Sequence, residues 1–389
     1  MTVAEPAFRT IDAIKDVRAS EWDACANPDP ARFNPFLAHA FLLACEQSGS
    51  ATPRQGWKPA HALIEQNGAL LACAPTYLKA HSQGEYVFDH HWADAYERAG
   101  GRYYPKLLCA VPFTPVPGPR LLIRPGTDDN AMRKRLLHGL IALAQKARLS
   151  SIHINFLKEG EWPVCEAADF LLRTDQQFHF ENKAYGTFAD FLGELSSQRR
   201  KTLRKERERA RADGLAYEWI TGSDLKEHHW DAFFAAYIAT GSQKWGRPYL
   251  TRSFFSMLGE AMPERVLLVL VRRGRQYIAG ALNLIGADTL YGRNWGAIED
   301  RPFMHFEACY YQAIDFAIAH RLARVEAGAQ GLHKLARGYM PVPTHSAHWI
   351  ADAGFRRAVA RYLSEERAAV DTEIETLSAH GPFKHRRED

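Results

Sequence analysis

The sequence predicts an α/β protein made of two successive units, each a mixed β-sheet flanked by helices. Three observations carry this. Helical and strand patterns alternate along all 389 residues, a length beyond one ordinary core. Each half runs in the same order of helix, helix, β-meander, helix, strand. An apolar fraction of 46% with 12% aromatics gives each half enough to bury. No residue-level repeat accompanies the shared order. The boundary is expected between Arg173 and Lys183, giving domains 1–175 and 176–389.

In the first half, SEWDACA and NPFLAHAFLLACEQSG read as helices, the second starting behind Asn34 and stopping at Gly49. HALIEQNGALLACAPTYLKA reads as a hairpin turning at Asn67-Gly68. Six prolines between 105 and 125 exclude a regular helix or central strand there, and predict an extended, rigid surface segment. AMRKRLLHGLIALAQKARL has helical spacing, with Leu136, Leu140, Leu143 and Ala144 on one face. SSIHINFLK and FLLRTDQQFHFEN read as strands.

In the second half, TFADFLGELSSQRRKTLRKERERARADG is expected as one long helix ending at Gly214. HHWDAFFAAYIATGSQKWG is a further helix. RVLLVLVRRGRQYIAGALNLIGADTLYGRNWGAI reads as a β-meander with turns at RRGR and GADT. A helix over HFEACYYQAIDFAIAHRL, a short strand at VEAGAQG and an irregular stretch through MPVPTHSAHW follow. The last helix lies in AGFRRAVARYLSEERAAVDTEIETLSAH.

The net charge of +4 gives no global reason to bind nucleic acid, so anion binding must come from a local patch. The six cysteines are widely spaced and form no C-x-x-C pair, which fits reduced thiols rather than disulfides or zinc. The N-terminus lacks a basic then apolar signal pattern, and no apolar run reaches spanning length, so a soluble cytoplasmic protein is expected. Phosphate-loop, dinucleotide-binding and nucleophile-elbow motifs are absent.

Four segments carry candidate chemistry. Between Arg199 and Arg211 lie eight Lys or Arg against two Glu. Arg200, Arg204, Arg207 and Arg211 step by four, three and four residues into one helical ridge, with Lys201 and Lys205 beside it. Arg forks match phosphate oxygens, so the ridge predicts a phosphate-bearing ligand. The alternative is a solvated face with Glu206 and Glu208 pairing locally. In the second segment Asn294 and Trp295 precede a helix whose first turns hold His305, Glu307, Tyr310 and Tyr311. A helix start favours an anion or oxyanion, and a desolvated Glu307 can act as base. The alternative is an acid that complements the dipole, with both tyrosines in the core. In the third, Glu326, Gln330, His333, Lys334 and Arg337 stand among Gly328, Gly331 and Gly338, and a constrained loop presents His345 and His348. In the fourth, Asp89, Trp92 and Asp94 precede Tyr104 and Lys106, predicting a substrate-binding loop held by prolines. No metal is expected at the adjacent His90 and His91.

Three stretches, YVFDHHWADAYERAGGRYYPKLLCAVPFTPVPGPRLL, SSQRRKTLRKERERA and EAGAQGLHKLARGYMPVPTHSAHWI, together resemble the bacterial FemAB-like proteins. These are predicted N-acyltransferases of the GNAT superfamily, linked to peptidoglycan biosynthesis or recognition. The resemblance runs over nearly the whole chain and implies two tandem GNAT-like domains. It also implies transfer of an acyl or aminoacyl group, from acyl-coenzyme A or aminoacyl-tRNA as co-substrate, to a small-molecule or peptide amine such as a cell-wall precursor. No tightly bound cofactor is expected, and tRNA is an expected partner. Glu307 or Glu326 is the expected base. Lys334 is counted with them as catalytic, and with Arg337 it orients donor or acceptor. The Q/R-x-x-G-x-G/A turn that cradles coenzyme A pyrophosphate is not found before HFEACYYQAIDFA, which favours a tRNA-borne donor. The alternative is a non-catalytic GNAT-fold protein that binds a cell-wall precursor or nucleic acid.

Overall fold

The structure, a computed structural model, describes residues 5–244, 248–328 and 331–384. It divides into two compact units. One holds Met1–Asp175 with Pro343–Thr372, the other Gln176–Val342 with Glu373–Asp389. The sequence had run the second domain unbroken from 176 to 389; the return of Pro343–Thr372 to the first unit carries no local signature. No helix among the described residues is long and apolar enough to cross a membrane.

The first unit contains β1 (Ala7–Ile11), α1 (Ala19–Ala26), α2 (His39–Gln47), β2 (Trp57–Pro59), β3 (His61–Gln66), β4 (Ala69–Ala74), β5 (Thr76–Lys79), α3 (His90–Arg98), β6 (Lys106–Cys109), β7 (Leu122–Ile123), α4 (Asp129–Lys146), β8 (Ser151–Leu157) and α5 (Trp162–Ala167). Asn67 and Gly68 both take positive φ, as the two-residue hairpin between β3 and β4 requires. Helix α2 begins at His39 rather than behind Asn34. The Asn34 side chain instead accepts the Phe36 N–H at 3.0 Å and closes a turn. Asp128 caps α4 through the Ala131 N–H, and its Leu136, Leu137, Leu140 and Ala144 are buried against the strands. β6 and β8 are parallel neighbours, registered from Leu107–Ile152 to Cys109–Ile154. The stretch 105–125 is largely buried, not a surface segment, and it contains a central strand after all: β6 pairs with β5 on one side and β8 on the other, ahead of the prolines from 112 onward. Arg120, fully buried, donates to the carbonyls of Val116, Gly118 and Pro119, and Glu161 accepts the N–H groups of Arg120 and Leu121.

The second unit begins along β9 (Leu171–Glu181) and continues with α6 (Phe188–Glu194), α7 (Ser197–Ala210), β10 (Leu215–Ile220), α8 (Glu227–Lys244), α9 (Arg252–Ala261), β11 (Val266–Arg273), β12 (Gln276–Ile285) and β13 (Thr289–Ala297). Then α10 (Met304–Phe306), a wide π turn (Glu307–Tyr311) and α11 (Gln312–Ala319) run as one helix into β14 (Arg324–Glu326). The strand order is β10-β11-β12-β13-β14-β9, antiparallel except for β13 with β14. A Cβ on Gly296 would lie 2.3 Å from the Ala236 backbone, so only glycine lets α8 approach β13 this closely. The expected long basic helix is broken after Glu194, because the backbone of Leu195 and Ser196 pairs with Phe383 and Pro382.

β15 (Met340–Ile350) and α12 (Ala353–Ala379) close the chain. MPVPTHSAHW is therefore a strand and not a loop. Pro341 and Pro343 precede the ladder with β8, which starts at His345, so neither proline has to donate a hydrogen bond to it.

Candidate active site

β13 and β14 pair only from Thr289–Arg324 to Tyr291–Glu326; β13 then runs on to Ala297 while β14 ends. The carboxyl ends of parallel strands are where such sheets hold ligands. Here Arg293 reaches Glu326 at 3.5 Å, both side chains nearly sealed from solvent. Lys334 comes from the short 3₁₀ helix Leu332–Arg337, is 3% exposed, and donates to the Gly328 carbonyl at 3.0 Å. Burial, followed by the positive charge of Arg293, lowers Lys334 to about 7. A lysine in that state is partly neutral at physiological pH and able to take a proton.

Rings line the same region. Trp295 lies 5.3 Å from His305, and His305 lies 5.4 Å from Tyr310. Tyr310 and the His333 Nε2 share a hydrogen bond of 2.8 Å. Burial, then Arg337 and Lys334, keep His333 below the usual histidine range. The structure thus gathers Glu326, Lys334, Trp295, His305, Tyr310 and His333, with Asn294 half-buried on β13. Gln330 lies outside the described residues. Arg293 was missed: it sits in an ordinary strand pattern, and only the parting of β13 from β14 marks it.

The basic ridge is not a free phosphate-binding face throughout, because Arg207 and Arg211 turn inward to Glu307. Glu307 is fully buried and accepts from Arg207 Nε (3.0 Å) and Nη2 (2.8 Å), Arg211 Nη2 (2.8 Å) and Gln312 Nε2 (2.7 Å). Arg207 also donates to both oxygens of Asp315. The Oε1 of Glu307 is crowded with donors and Oε2 accepts from Arg207, so Glu307 is tied into an ion cluster that anchors α7 and does not stand as a free carboxylate. Arg207, and Arg211 through Nε and Nη2, are committed to it rather than to a phosphate. Arg337 likewise pairs with Glu206 at 2.9 Å and stacks 3.5 Å over Phe306. Glu206 also accepts from the Tyr311 hydroxyl, which places Tyr311 in the core. Lys201, Arg204 and Lys205 remain exposed on α7, with Arg200 half-buried.

In the first unit, Lys79 and Lys106 face each other across β5 and β6, both fully buried. The segment before α3 covers them with acceptors. Lys106 Nζ donates to Ser82 Oγ and Glu85 Oε2, each at 2.8 Å, and to Asp89. Burial opposes its charge, but Glu85 and Asp89 outweigh burial and hold Lys106 above the ordinary lysine range. Burial lowers Lys79 to about 7 and raises Glu85 to about 7. Tyr103 donates to Asp89 at 2.7 Å and contacts His153, which shares a 2.7 Å hydrogen bond with His348. Burial keeps both imidazoles below the usual range. Trp92 packs edge-on against His348 at 5.0 Å, and Tyr104 bonds Ser82 at 2.8 Å. Asp89, Trp92, Tyr104, Lys106 and His348 therefore meet, while Asp94 points to solvent on α3 and His345 packs on Trp162 at 4.3 Å. The expected substrate loop is a helix beyond Asp89. Lys79, Glu85, Tyr103 and His153 were missed because their partners are set by tertiary folding.

A model of the FemAB-like family, described as peptidoglycan biosynthesis/recognition, matches residues 13–385. The chain is a FemAB-like protein. Among solved structures, FemX resembles this FemAB-like chain at 12% identity and TM-score 0.51, covering 88% of this chain and 98% of FemX. The C-terminal DUF2156 domain of an Agrobacterium fabrum protein assigned as a lysylphosphatidylglycerol synthetase gives 9% identity and TM-score 0.53, covering 89% and 96%. L-PGS from Bacillus licheniformis gives 9% identity and TM-score 0.50, covering 85% and 98%. At these identities the likeness speaks to fold. No curated protein matches the sequence. Family and fold together support a transferase.

Proposed function

We propose that this FemAB-like chain transfers an acyl or aminoacyl group from a phosphate-bearing donor to an amine of a peptidoglycan precursor, with Lys334 as proton acceptor. The observation that carries this reading is a buried lysine, lowered to about 7, beside the carboxyl ends of parallel strands. In the reaction the neutral amine attacks the donor's ester or thioester carbonyl. A C–N bond forms, the C–O or C–S bond breaks, the amine proton passes to Lys334, and the leaving oxygen or sulfur is protonated in turn. Burial, aided by the charge of Arg293, keeps Lys334 deprotonated enough to act, and Arg293 pairs with Glu326. Exposed Lys201, Arg204 and Lys205 supply charge for the donor's phosphates, and the missing pyrophosphate turn favours aminoacyl-tRNA over acyl-coenzyme A.

The test is product formation by mass spectrometry. The protein is incubated with amine-bearing precursor peptides and either aminoacyl-tRNA or acyl-coenzyme A. Product with the wild type and none with Lys334→Met supports the reading. Equal product from both proteins contradicts it.

A further inference from the structure

A pocket of about 500 Å³ lies in the second unit on the edge strand β10, away from the parting of β13 and β14 in the strand order. Leu215, Tyr217 and Trp219 alternate along β10 and share one face. Gln312 and Asp315 of α11, three residues apart, form one wall, and Arg211 at the end of α7 forms another. We propose that this pocket binds the base of a nucleotide carrying an exocyclic amino group, with the phosphate toward Arg211. The inference rests on the phosphate-bearing donor proposed above.

The lining is fixed before any ligand arrives. The Trp219 indole donates to Gln312 at 2.7 Å and packs edge-on against Phe316 at 5.3 Å, yet the residue stays 38% exposed. Gln312 is itself held by Glu307, inside the Arg207–Arg211 ion cluster. A pinned, exposed indole is a stacking platform that loses little freedom on binding. Arg211 spends Nε and Nη2 on Glu307; its Nη1 makes no hydrogen bond among the described residues, and the side chain is half exposed. That edge can donate to a phosphate. Asp315, whose two oxygens each accept one donor from Arg207, keeps further lone pairs at 23% side-chain exposure, suited to an amino group such as N4 of cytosine or N6 of adenine and not to the O4 of uracil. Arg204 lies seven residues back along α7, about 10 Å away by helical rise, so further phosphates would meet exposed charge.

Two donors offer this chemistry: the unpaired CCA end of a tRNA and the adenosine 3′,5′-bisphosphate moiety of coenzyme A. Titration calorimetry of the full chain would use CMP, UMP, adenosine 3′,5′-bisphosphate, and an RNA minihelix with and without a CCA end. CMP should bind more tightly than UMP. Trp219→Leu should weaken CMP about ten- to a hundredfold, and Asp315→Asn should erase the preference over UMP. A CCA-dependent gain assigns the pocket to tRNA; a gain confined to the bisphosphate assigns it to coenzyme A. Equal CMP affinity in wild type and Trp219→Leu, or no binding of any probe, overturns the proposal. Should Trp219→Leu misfold, 5-fluorotryptophan labelling answers instead, with Trp219→Phe assigning the resonance. A Trp219 signal unmoved at CMP saturation overturns it. Turnover is read separately: nucleotide binding without product keeps the pocket and removes the transferase reading, whereas product without nucleotide binding does the reverse.

Discussion

Lys106 in the first unit and Lys334 in the second are both buried and are driven in opposite directions, while Lys79 beside Lys106 is lowered by burial. Lys106 in the first unit is enclosed by Glu85, Asp89 and Ser82, and its charge is held. Lys334 in the second unit has a backbone carbonyl and the cation of Arg293 nearby, and is lowered to about 7. Burial is nearly complete in both and pushes both downward; at Lys106 the carboxylates of Glu85 and Asp89 outweigh it, whereas at Lys334 the cation of Arg293 adds to it. The parallel strands differ likewise. The chain leaving β6 is packed down by Arg120 and Glu161, while β13, running on past its pairing with β14, brings Arg293 to Glu326.

The contrast breaks most visibly in turnover. Lys334→Met should lower the rate about 10²- to 10⁴-fold, the range for a lost proton acceptor, with the thermal midpoint little changed. In the wild type the rate should rise with pH through about 7, as Lys334 becomes neutral. A rate independent of pH there would place the proton elsewhere.

Lys106→Met should act on stability instead. It strands Asp89 and Glu85 in the interior and should cost about 3–5 kcal/mol in urea unfolding. Adding Glu85→Gln should recover part of that loss. No change in the midpoint would show that the carboxylates are not charged against Lys106.

Glu85 gives a smaller, pH-dependent effect. Its folded value, raised to about 7, lies above its unfolded one, so between the two the native state keeps a proton that the unfolded chain has lost. Its contribution is full below the unfolded value and disappears as pH rises toward 7. Glu85→Gln should flatten that decline in melting temperature, and an unaltered slope would refute the assignment.

Smallest is the exposed basic face. Reversing Arg204 and Lys205 to Glu should leave stability within about 0.5 kcal/mol and reduce the salt dependence of tRNA binding, each lost phosphate contact lowering the log–log slope by about 0.9. An unchanged slope would clear α7 of donor binding.

The sequence made the strand and helix order legible because periodicity is local: the Asn67-Gly68 hairpin, the meander from Val266 and the helix before Lys146 all follow from it. Lys334 and Glu326 were singled out as candidates by the glycines around them, and both are buried. What stayed hidden depends on distant partners. Glu206 and Arg337 are 131 residues apart, and Glu307 and Arg207 are 100 apart, so a basic ridge in the sequence became partly an internal ion cluster. Prolines at 341 and 343 suggested a loop because the register that tolerates them is set by β8.

The most direct test is to titrate the lysines themselves, following the Cε resonances of [¹³C]lysine-labelled protein with Lys334→Met and Lys106→Met as assignments. A Lys334 midpoint near pH 7, with Lys106 still protonated at that pH, is the predicted result. A Lys334 midpoint near the ordinary value of about 10.4 would contradict its role as proton acceptor.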